Sequence, residues 1–528
     1  MRVCVVNSSY EGADSPFEKY DDFADPSRYI PKSRHEFIMR WVTKANAKAE
    51  IDKICEEKFD IYMNYMWGTE NDPVAGVEAT QYLESKGVPV LAIPSRFLIL
   101  DKLDLQRAAE KTGLRVPRDT PGKYPKIVKY PNACGSLDVD YGSICHNEDD
   151  VKKRVAYLTE RNPTLGTLIQ DYIVGTECSA VVLEMGSEVV ALTPLRYVFP
   201  EDTPANEEFL TWHNKFEACE TGDIKYALVE DEHQSNIKQA AVDAFKAFEG
   251  CGGGCWGRVD MRLEKGTGHV YVIEVNPTAT AFYPIGNSLG DDLVVGERFP
   301  GRHAAFFDMM LATKQMQLKW NKPQMEHIAT FYDNLAPKYN AIHEKSGMPD
   351  VLRSLTQFDF SGTVLDVACG TGLFGRLLVD LGVQAEITGI DLSPGMMDSP
   401  DIKKYYKQPL RVGPMQELIM GAGEFDHILC MGALYLLDSV NFNATLARMF
   451  MLARKSVSIE VTDISQEFID STIKGLGSLF VPANHVKLVE EFGVPYGWKL
   501  VHKKKQFLFK SVSVDGATDG YVMHFERL

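Results

Sequence analysis

Short apolar segments alternate with amphipathic helical segments along this chain, and the alternation starts twice. The first series begins at residues 3–6, and the second begins at residues 362–368, after a new helical segment opens near Phe331. Strands that alternate with helices are typical of α/β domains. A chain of 528 residues also exceeds what one hydrophobic core usually supports. The sequence therefore predicts an α/β multidomain protein.

The change in strand density and a polar stretch divide the chain into four segments. We expect a first α/β domain over residues 1–93 and a domain with denser strands over 94–312. Residues 313–327 are polar, mixed and contain Pro323, which predicts a linker. A second α/β domain should then occupy residues 328–528.

Charge and composition exclude several classes of partner. The net charge is −17, with 73 acidic against 56 basic residues, which argues against nucleic acid because phosphate binding needs a concentrated basic face. No apolar run approaches ~18 residues, so no membrane span is expected. Ten scattered cysteines and an N-terminus without a signal-peptide pattern predict a cytoplasmic protein. Cys251 and Cys255 are close, but no second Cys/His pair complements them as a metal site.

Residues 94–280 contain what a nucleotide-dependent ligase needs. Lysines and a glycine loop can hold phosphates, and oxygen ligands can hold magnesium. Asp260 lies on one predicted strand, and Glu274 and Asn276 lie on the next. Because alternate residues of a strand share a face, these three side chains can converge. Two carboxylates and an amide oxygen form a hard-oxygen site that suits Mg²⁺.

In their order along the chain, these motifs resemble the D-alanine–D-alanine ligase-like ATP-grasp ligases, over about 60% of the chain. The resemblance implies an ATP-grasp fold, with a Rossmann-like preATP-grasp domain over 1–93 and two α+β lobes over 94–312. It implies two catalytic residues: Lys215 on a mobile loop and Arg258, which neutralises the transferred phosphoryl group. It implies a site for two Mg²⁺ ions at Asp260, Glu274 and Asn276. The residues implied to bind ATP are Lys102, Lys129, Gly135, Ser136, Gln170, Asp171, Tyr172, Ile173 and Glu177.

Two loops depart from that family. Asn276 is followed by Pro-Thr-Ala-Thr-Ala-Phe instead of a loop with Pro-Gly, and Gly286 arrives late. The N-terminal loop lacks the family's set of residues for a first alanine. D-alanine specificity is therefore not carried over. Glu11 is either a group that binds a substrate ammonium or a solvated loop acid.

The second half contains Gly370-x-Gly372-x-x-Gly375 after a predicted strand. This pattern alone could indicate an NAD-linked oxidoreductase. Asp366 inside the strand and the Asp391-Leu-Ser-Pro segment instead resemble class I methyltransferases that use S-adenosylmethionine, with a Rossmann-like fold. Tyr332 and Tyr339 resemble a lid, and helix packing explains them equally well. The residues implied to bind S-adenosylmethionine are Asp366, Ala368, Gly370, Gly372, Asp391, Leu392, Met396, Glu417, Met431, Tyr332 and Tyr339.

Together the two resemblances predict a bifunctional enzyme. One half would join a small carboxylic acid to an amine with ATP and Mg²⁺, and the other would methylate an N or O of the same metabolite. An alternative keeps the methyltransferase and makes the ATP-grasp half a regulatory or docking module. The predicted partners are small molecules, and the sequence leaves open whether the protein forms a homodimer.

Overall fold

The chain divides into two compact units. A computed structural model describes residues 1–92, 94–201, 203–204, 207–217, 225–248, 254–277, 279–284, 290–510 and 517–528. The first unit comprises Met1–Glu184 and Val189–Arg298, and the second comprises Met185–Glu188 and Phe299–Leu528. Both units mix helices and strands, which confirms the predicted α/β class. Cys251, Gly286 and the predicted boundary residue Ile93 lie outside the described residues.

The first unit opens with a parallel four-stranded sheet, in the order β2-β1-β3-β4. Apolar residues of β1 such as Cys4 and Val6 share one core with Ile51 and Leu83 from the helices. The strands are β1 Arg2–Ser8, β2 Glu36–Val42, β3 Ile61–Tyr65 and β4 Val90–Ala92. The helices are α1 Ala47–Glu56, α2 Val77–Ser85 and α3 Ser95–Leu98.

Two antiparallel sheets complete the first unit. The smaller sheet has the order β6-β5-β7, and the larger has the order β11-β10-β8-β12-β13, with β9 paired to β8. The smaller sheet and its helix comprise β5 Lys126–Lys129, β6 Ile144–Cys145, β7 Leu168–Asp171 and α5 Glu148–Arg161. The larger sheet comprises β8 Gly175–Met185, β9 Glu188–Ala191, β10 Leu195–Val198, β11 Lys225–Leu228, β12 Trp256–Glu264 and β13 Val270–Asn276. The remaining helices are α4 Lys102–Thr112, α6 Gln234–Ala247 and α7 Asp291–Arg298.

The start of α4 fixes the position of Lys102. The Asp101 side chain accepts hydrogen bonds from the backbone N–H groups of Leu103 and Asp104. The Asp104 side chain in turn accepts a hydrogen bond from the backbone N–H of Asp101. This capping box satisfies N–H groups that would otherwise lack partners at the helix end. Leu105 and Ala109 then pack on the large sheet, so Lys102 is held at the sheet's edge in the first turn.

The second unit is built on one seven-stranded sheet, in the order β16-β15-β14-β17-β18-β20-β19. All pairs are parallel except those of β20, which runs antiparallel to both neighbours. From β14 the chain first adds β15 and β16 on one side and then β17 and β18 on the other. The strand order therefore reverses between β14 and β17, and ligands of such folds bind at this switch point. The strands are β14 Gly362–Val367, β15 Ala385–Asp391, β16 Arg411–Val412, β17 Phe425–Cys430, β18 Ala453–Asp463, β19 Trp498–Lys510 and β20 Ala517–Arg527.

Ten helices are described in the second unit. They are α8 Arg302–Leu318, α9 Lys322–His343, α10 Met348–Leu355, α11 Leu373–Asp380, α12 Pro394–Met397, α13 Pro400–Tyr405, α14 Met415–Leu418, α15 Ser439–Leu452, α16 Gln466–Leu476 and α17 Val486–Phe492. Shorter helical turns over the whole chain are Pro26–Arg28, Tyr141–Ser143, His213–Glu217 and Leu434–Leu436. Among the described residues, no helix combines the length and apolar character that crossing a bilayer requires.

The segment 313–327, expected as a linker, is helical and belongs to the second unit. It spans the end of α8 and the start of α9, and the units divide instead between Arg298 and Phe299. Pro323 lies in the first turn of α9. Backbone N–H groups in that turn have no acceptor within the helix, so a proline there removes no helical hydrogen bond. Met325 and Ile328 are buried in a core with Phe480, which explains why this polar-looking segment is ordered.

Candidate functional site

Four polar side chains share one face of the β12–β13 pair. Arg258 lies opposite Asn276, and Asp260 lies opposite Glu274. The Arg258 Nε donates to Asp260 Oδ1 at 2.7 Å, and the Asn276 Nδ2 donates to Asp260 Oδ2 at 2.9 Å. The structure therefore brings together the three residues predicted to bind Mg²⁺ and one predicted catalytic residue.

Each carboxylate of this group faces a cation. Lys102 Nζ donates to Glu274 and to the Ala133 carbonyl oxygen. Burial raises the pKa of Asp260, but the Arg258 guanidinium outweighs burial and holds that pKa below its usual value. The sequence analysis missed Asp291, a buried acid 3.7 Å from Arg258 that also accepts from the Thr280 N–H. Asp291 is 33 residues from Arg258, so no local pattern connects the two.

Two cavities meet at this strand pair. A cavity of about 580 Å³ is lined by Arg258 and Asn276, among others, and one of about 90 Å³ is lined by Asp260. Lys102, Lys215 and Glu274 line both. Of the predicted ATP-binding residues, all but Gly135 line the smaller cavity: Lys102, Lys129, Ser136, Gln170, Asp171, Tyr172, Ile173 and Glu177.

Gly135 has a conformational role beside that cavity. Its φ is +60°, and a Cβ there would lie 2.5 Å from the ring of Phe17. Only glycine combines this backbone conformation with so close an approach. The next residue, Ser136, does line the cavity, and its hydroxyl donates to the Leu210 carbonyl oxygen.

Cations and carboxylates both line the smaller cavity. It contains four cations and four acids: Lys102, Lys129, Lys215, Arg262, Asp171, Glu177, Asp260 and Glu274. Lys129 is buried, and burial together with the neighbouring Lys102 lowers its pKa to about 8. An anionic ligand beside Lys129 would favour the charged form of this lysine. The environment of Lys129 thus favours a phosphate group at this position.

Two predicted nucleotide contacts have protein partners in the structure. The Asp171 carboxylate pairs with Lys126 at 2.7 Å and accepts from the Thr120 hydroxyl, so its side chain is engaged within the protein. Glu177 Oε2 accepts from Arg262 Nη1 at 3.2 Å. Any contact of Asp171 with a nucleotide would therefore use its backbone.

Arg262 is a buried residue that the sequence analysis missed. Besides Glu177, it donates to the carbonyl oxygens of Ile173 and Gly175, each at 2.6 Å, and to the Tyr172 hydroxyl. One guanidinium therefore fixes the segment between β7 and β8, which contains the predicted ATP-binding residues Tyr172 and Ile173. Its position on β12 beside Asp260 was visible in the sequence, but its partners lie 85–90 residues away.

In the second unit a cavity of about 70 Å³ lies at the switch point of the sheet. The Asp391 carboxylate accepts the backbone N–H groups of Gly370 and Ser393, each at 2.8 Å, which joins the two loops after β14 and β15. Eight predicted residues line this cavity: Tyr332, Tyr339, Ala368, Gly370, Asp391, Leu392, Met396 and Met431.

Three predicted residues do not line it. Asp366 is buried and accepts from the Tyr406 hydroxyl, and burial raises its pKa to about 7. Gly372 caps the start of α11 with φ +86°. Glu417 is exposed, whereas its neighbour Gln416 is buried and lines the cavity. Adjacent residues of a helix point about 100° apart, so the sequence alone could not choose between these two.

Each unit contains a segment that matches a known protein family. Residues 84–284 match the family described as D-ala D-ala ligase C-terminus, and residues 364–456 match the family described as methyltransferase domain. The chain is a fusion of an ATP-grasp ligase-like domain with a methyltransferase domain. Both resemblances predicted from the sequence are thereby confirmed.

The relatives of the ligase-like domain are D-alanine–D-alanine ligases. One from Acetivibrio thermocellus is 32% identical over 167 residues, which is 31% of this chain and 40% of that protein. One from Geobacillus kaustophilus is 30% identical over 190 residues, covering 36% and 47%. The chain thus spans less than half the length of these curated relatives. The crystal structure of VanG D-Ala:D-Ser ligase from Enterococcus faecalis is 14% identical, with a TM-score of 0.40, and covers 59% of this chain and 99% of that one.

Proposed function

We propose that the chain is a bifunctional enzyme that activates a small carboxylic acid with ATP, joins it to an amine, and methylates an N or O of the same metabolite. The observation that carries the proposal is the shared wall of the two cavities in the first unit. There Lys102, Lys215 and Glu274 line both the smaller cavity and the larger one. The arrangement can hold a triphosphate on one side and an acid on the other.

The oxygen ligands fit magnesium. Asp260 and Glu274 are opposite each other, and Asn276 completes a hard-oxygen set. No group of three or more His, Cys, Asp or Glu in the described part of the chain is arranged to hold a metal. Two carboxylates suffice for Mg²⁺ when nucleotide phosphates supply further ligands. When bound, Mg²⁺ would offset the charge on the transferred phosphoryl group.

The ligase reaction would have two steps. An oxygen of the substrate carboxylate attacks the γ-phosphorus of ATP, and ADP leaves to give an acyl phosphate. The amine then attacks the acyl carbon, phosphate leaves, and the nitrogen loses a proton to form an amide. Lys129 and Lys215 would hold the phosphates, and Arg258, fixed by Asp260, would stabilise the transferred group.

In the second unit, S-adenosylmethionine would supply the methyl group. The loops joined by Asp391 would present the Gly370 backbone and the carboxylate to its polar parts. Tyr332 and Tyr339 would cover it, and the Tyr332 hydroxyl is 3.2 Å from that of Tyr435. Gln416, which lines this cavity, would contact S-adenosylmethionine in place of the predicted Glu417.

The second candidate is a methyltransferase with a non-catalytic ATP-grasp unit. The pairing of Lys102 with Glu274 and of Arg258 with Asp260 favours the first proposal, because a docking module has no need of such a charge arrangement. Nucleotide turnover separates the two candidates.

The test of the ligase is a screen of acid and amine pairs with the purified chain, ATP and Mg²⁺. We expect ADP and phosphate in equal amounts with the amide. Stoichiometric AMP and pyrophosphate would overturn the acyl-phosphate mechanism, and no turnover with any pair would favour the second candidate. We also expect D-alanyl-D-alanine not to be the main product, because the loop after Asn276 and the N-terminal loop differ from the family pattern.

A further inference from the structure

The larger cavity of the first unit is lined by two chemically different groups of side chains. The first group contains the cations Lys102, Lys215 and Arg258, with Glu274 paired to Lys102. The second group contains the aromatic rings of Phe17, Tyr20 and Trp67, the acids Asp21 and Asp22, and Lys19. Cations attract a carboxylate, and aromatic faces and acids attract a cation.

The aromatic group is organised by its own contacts. The Asp21 carboxylate accepts from the Tyr10 hydroxyl and is also hydrogen bonded by Trp67. The Phe17 ring meets the Trp67 ring edge-on at 5.5 Å, and the Tyr10 and Trp67 centroids lie 6.4 Å apart. A second cavity of about 180 Å³ shares Asp21, Trp67 and other residues with the larger one. This group, Tyr10, Phe17, Tyr20, Asp21 and Trp67, is called the aromatic cage below.

Ring faces select among cations. An unmethylated ammonium group needs hydrogen-bond acceptors for each N–H, which ring faces provide poorly. A methylated ammonium group is larger and less hydrated, and aromatic cages are the usual way in which proteins bind it. One ring of this group contacts a cation of the protein itself, since Lys19 Nζ lies 5.2 Å from the centroid of the Tyr20 ring. Methylation of nitrogen is also a reaction that the second unit of this chain could perform.

We propose that the aromatic cage binds the N-methylated ammonium group of an amino acid whose carboxylate lies beside Lys215 and Arg258 in the same cavity. The inference rests on the proposed ligase function. It assigns the methylated compound as the acid substrate, so methyl transfer precedes ligation. Glu11, the acid considered for this task from the sequence, is exposed and does not line either cavity.

The binding test uses a matched pair of probes on the full-length protein. Choline carries a trimethylammonium group, and 3,3-dimethyl-1-butanol is its uncharged carbon isostere. Calorimetry should show that choline binds at least about fivefold more tightly, a difference within the range for partly desolvated cation–π contacts. Equal affinities, tighter binding of the alcohol, or no binding of either probe would overturn the proposal.

Variants test whether choline binds in the aromatic cage. Trp67→Leu should remove most of the preference for choline, and Trp320→Leu, at an exposed tryptophan of the second unit, should leave it unchanged. Asp21→Asn should weaken choline about threefold or more without affecting the alcohol, by the loss of one nearby charge. Asp14→Asn removes the same charge from an exposed position of the same loop and is its control. If Asp21→Asn and Asp14→Asn behave alike, the cage does not bind the cation, even if Trp67→Leu fails to fold.

The activity test uses hydroxylamine as the amine, since it converts an acyl phosphate into a hydroxamate and phosphate. Amino acids are offered in free and N,N,N-trimethylated forms with ATP and Mg²⁺. We expect hydroxamate and ADP mainly from trimethylated acids. Turnover of free amino acids alone would overturn this inference and leave the ligase function standing. Binding of choline to the cage without turnover of any acid would instead overturn the ligase function.

Discussion

The carboxylates at the two candidate sites have different kinds of partner. In the first site, Asp260 pairs with Arg258 and Glu274 pairs with Lys102. In the second site, Asp391 accepts from the backbone N–H groups of Gly370 and Ser393, and Asp366 accepts from the Tyr406 hydroxyl.

The pKa values differ accordingly. The pKa of Asp260 is lowered, because Arg258 outweighs burial. Burial raises the pKa of Asp391, and it raises that of Asp366 to about 7 and that of Glu460 to about 8. Charge pairing prepares the first site for a polyanion and a divalent cation. Carboxylates that accept backbone N–H groups suit the second site to a ligand that is bound through hydrogen bonds. The same kind of substitution should therefore have different effects at the two sites.

The largest effect should come from removing a charge in the first site. Glu274→Gln should lower ADP release with a productive acid and amine by at least about a hundredfold, because it removes a metal ligand and the partner of Lys102. Affinity for S-adenosylmethionine should stay within about twofold, as expected for independent sites. Coupled ADP release and calorimetry measure the two quantities.

Glu264→Gln is the control for that change, since Glu264 lies at the far end of β12 and lines neither cavity. Full ligase activity in Glu274→Gln would show that Glu274 is not a metal ligand. A parallel loss of S-adenosylmethionine binding would show that the two sites are coupled.

The next effect concerns the second site. Asp391→Ala should weaken S-adenosylmethionine binding by about 10- to 100-fold, which corresponds to the loss of one charge-assisted hydrogen bond. ADP release should remain, provided that the assay supplies methylated and unmethylated acids. Asp398→Asn, in an exposed position nearby, is the control. Unchanged binding in Asp391→Ala would mean that this carboxylate only joins the loops.

Local sequence patterns predicted the strand pair and the glycine turn, but not the residues that complete each site. Asp260, Glu274 and Asn276 were predictable because strand alternation fixes which face they share. Asp291 and Arg262 were not, because their contacts join segments distant in the chain. The linker was mispredicted since Pro323 reads as a helix breaker, although a proline in the first helical turn is well tolerated.

The pH dependence of ATP affinity should sharpen the contrast between the two sites. Burial and the neighbouring Lys102 lower the pKa of Lys129 to about 8, and we propose that its charged form holds the ATP phosphates, so ATP affinity should fall as the pH rises through 8. Between pH 7 and pH 9 we expect a loss of about tenfold from this group alone. Calorimetry with ATP in the absence of acid substrate measures it. Lys129→Arg keeps its charge and should flatten the profile, and an identical slope in that variant would assign the titration to another group.

A separate effect should appear in the pH dependence of stability. Glu460 is buried on β18, where it accepts the Gly432 N–H, and burial raises its pKa to about 8. The unfolded chain releases this proton near pH 4.5, so the stability that the neutral acid contributes is complete below that pH and is lost as the pH rises towards 8.

Glu460→Gln cannot ionise, so its Tm relative to the wild type should rise by about 8–16 °C from pH 5 to pH 8. One proton over three pH units corresponds to about 4 kcal/mol, at roughly 2–4 °C for each kcal/mol. Thermal unfolding followed by circular dichroism measures the difference, with Glu526→Gln as an exposed control in the same sheet. A difference that is constant with pH would show that Glu460 is ionised in the folded protein.

The most direct test of two separate sites on one chain is calorimetric titration of the intact protein with ADP and Mg²⁺ and with S-adenosylmethionine, in both orders. We predict one equivalent of each ligand, with each affinity changing less than about twofold when the other ligand is present. Failure of either ligand to bind, or competition between the two, would contradict the account.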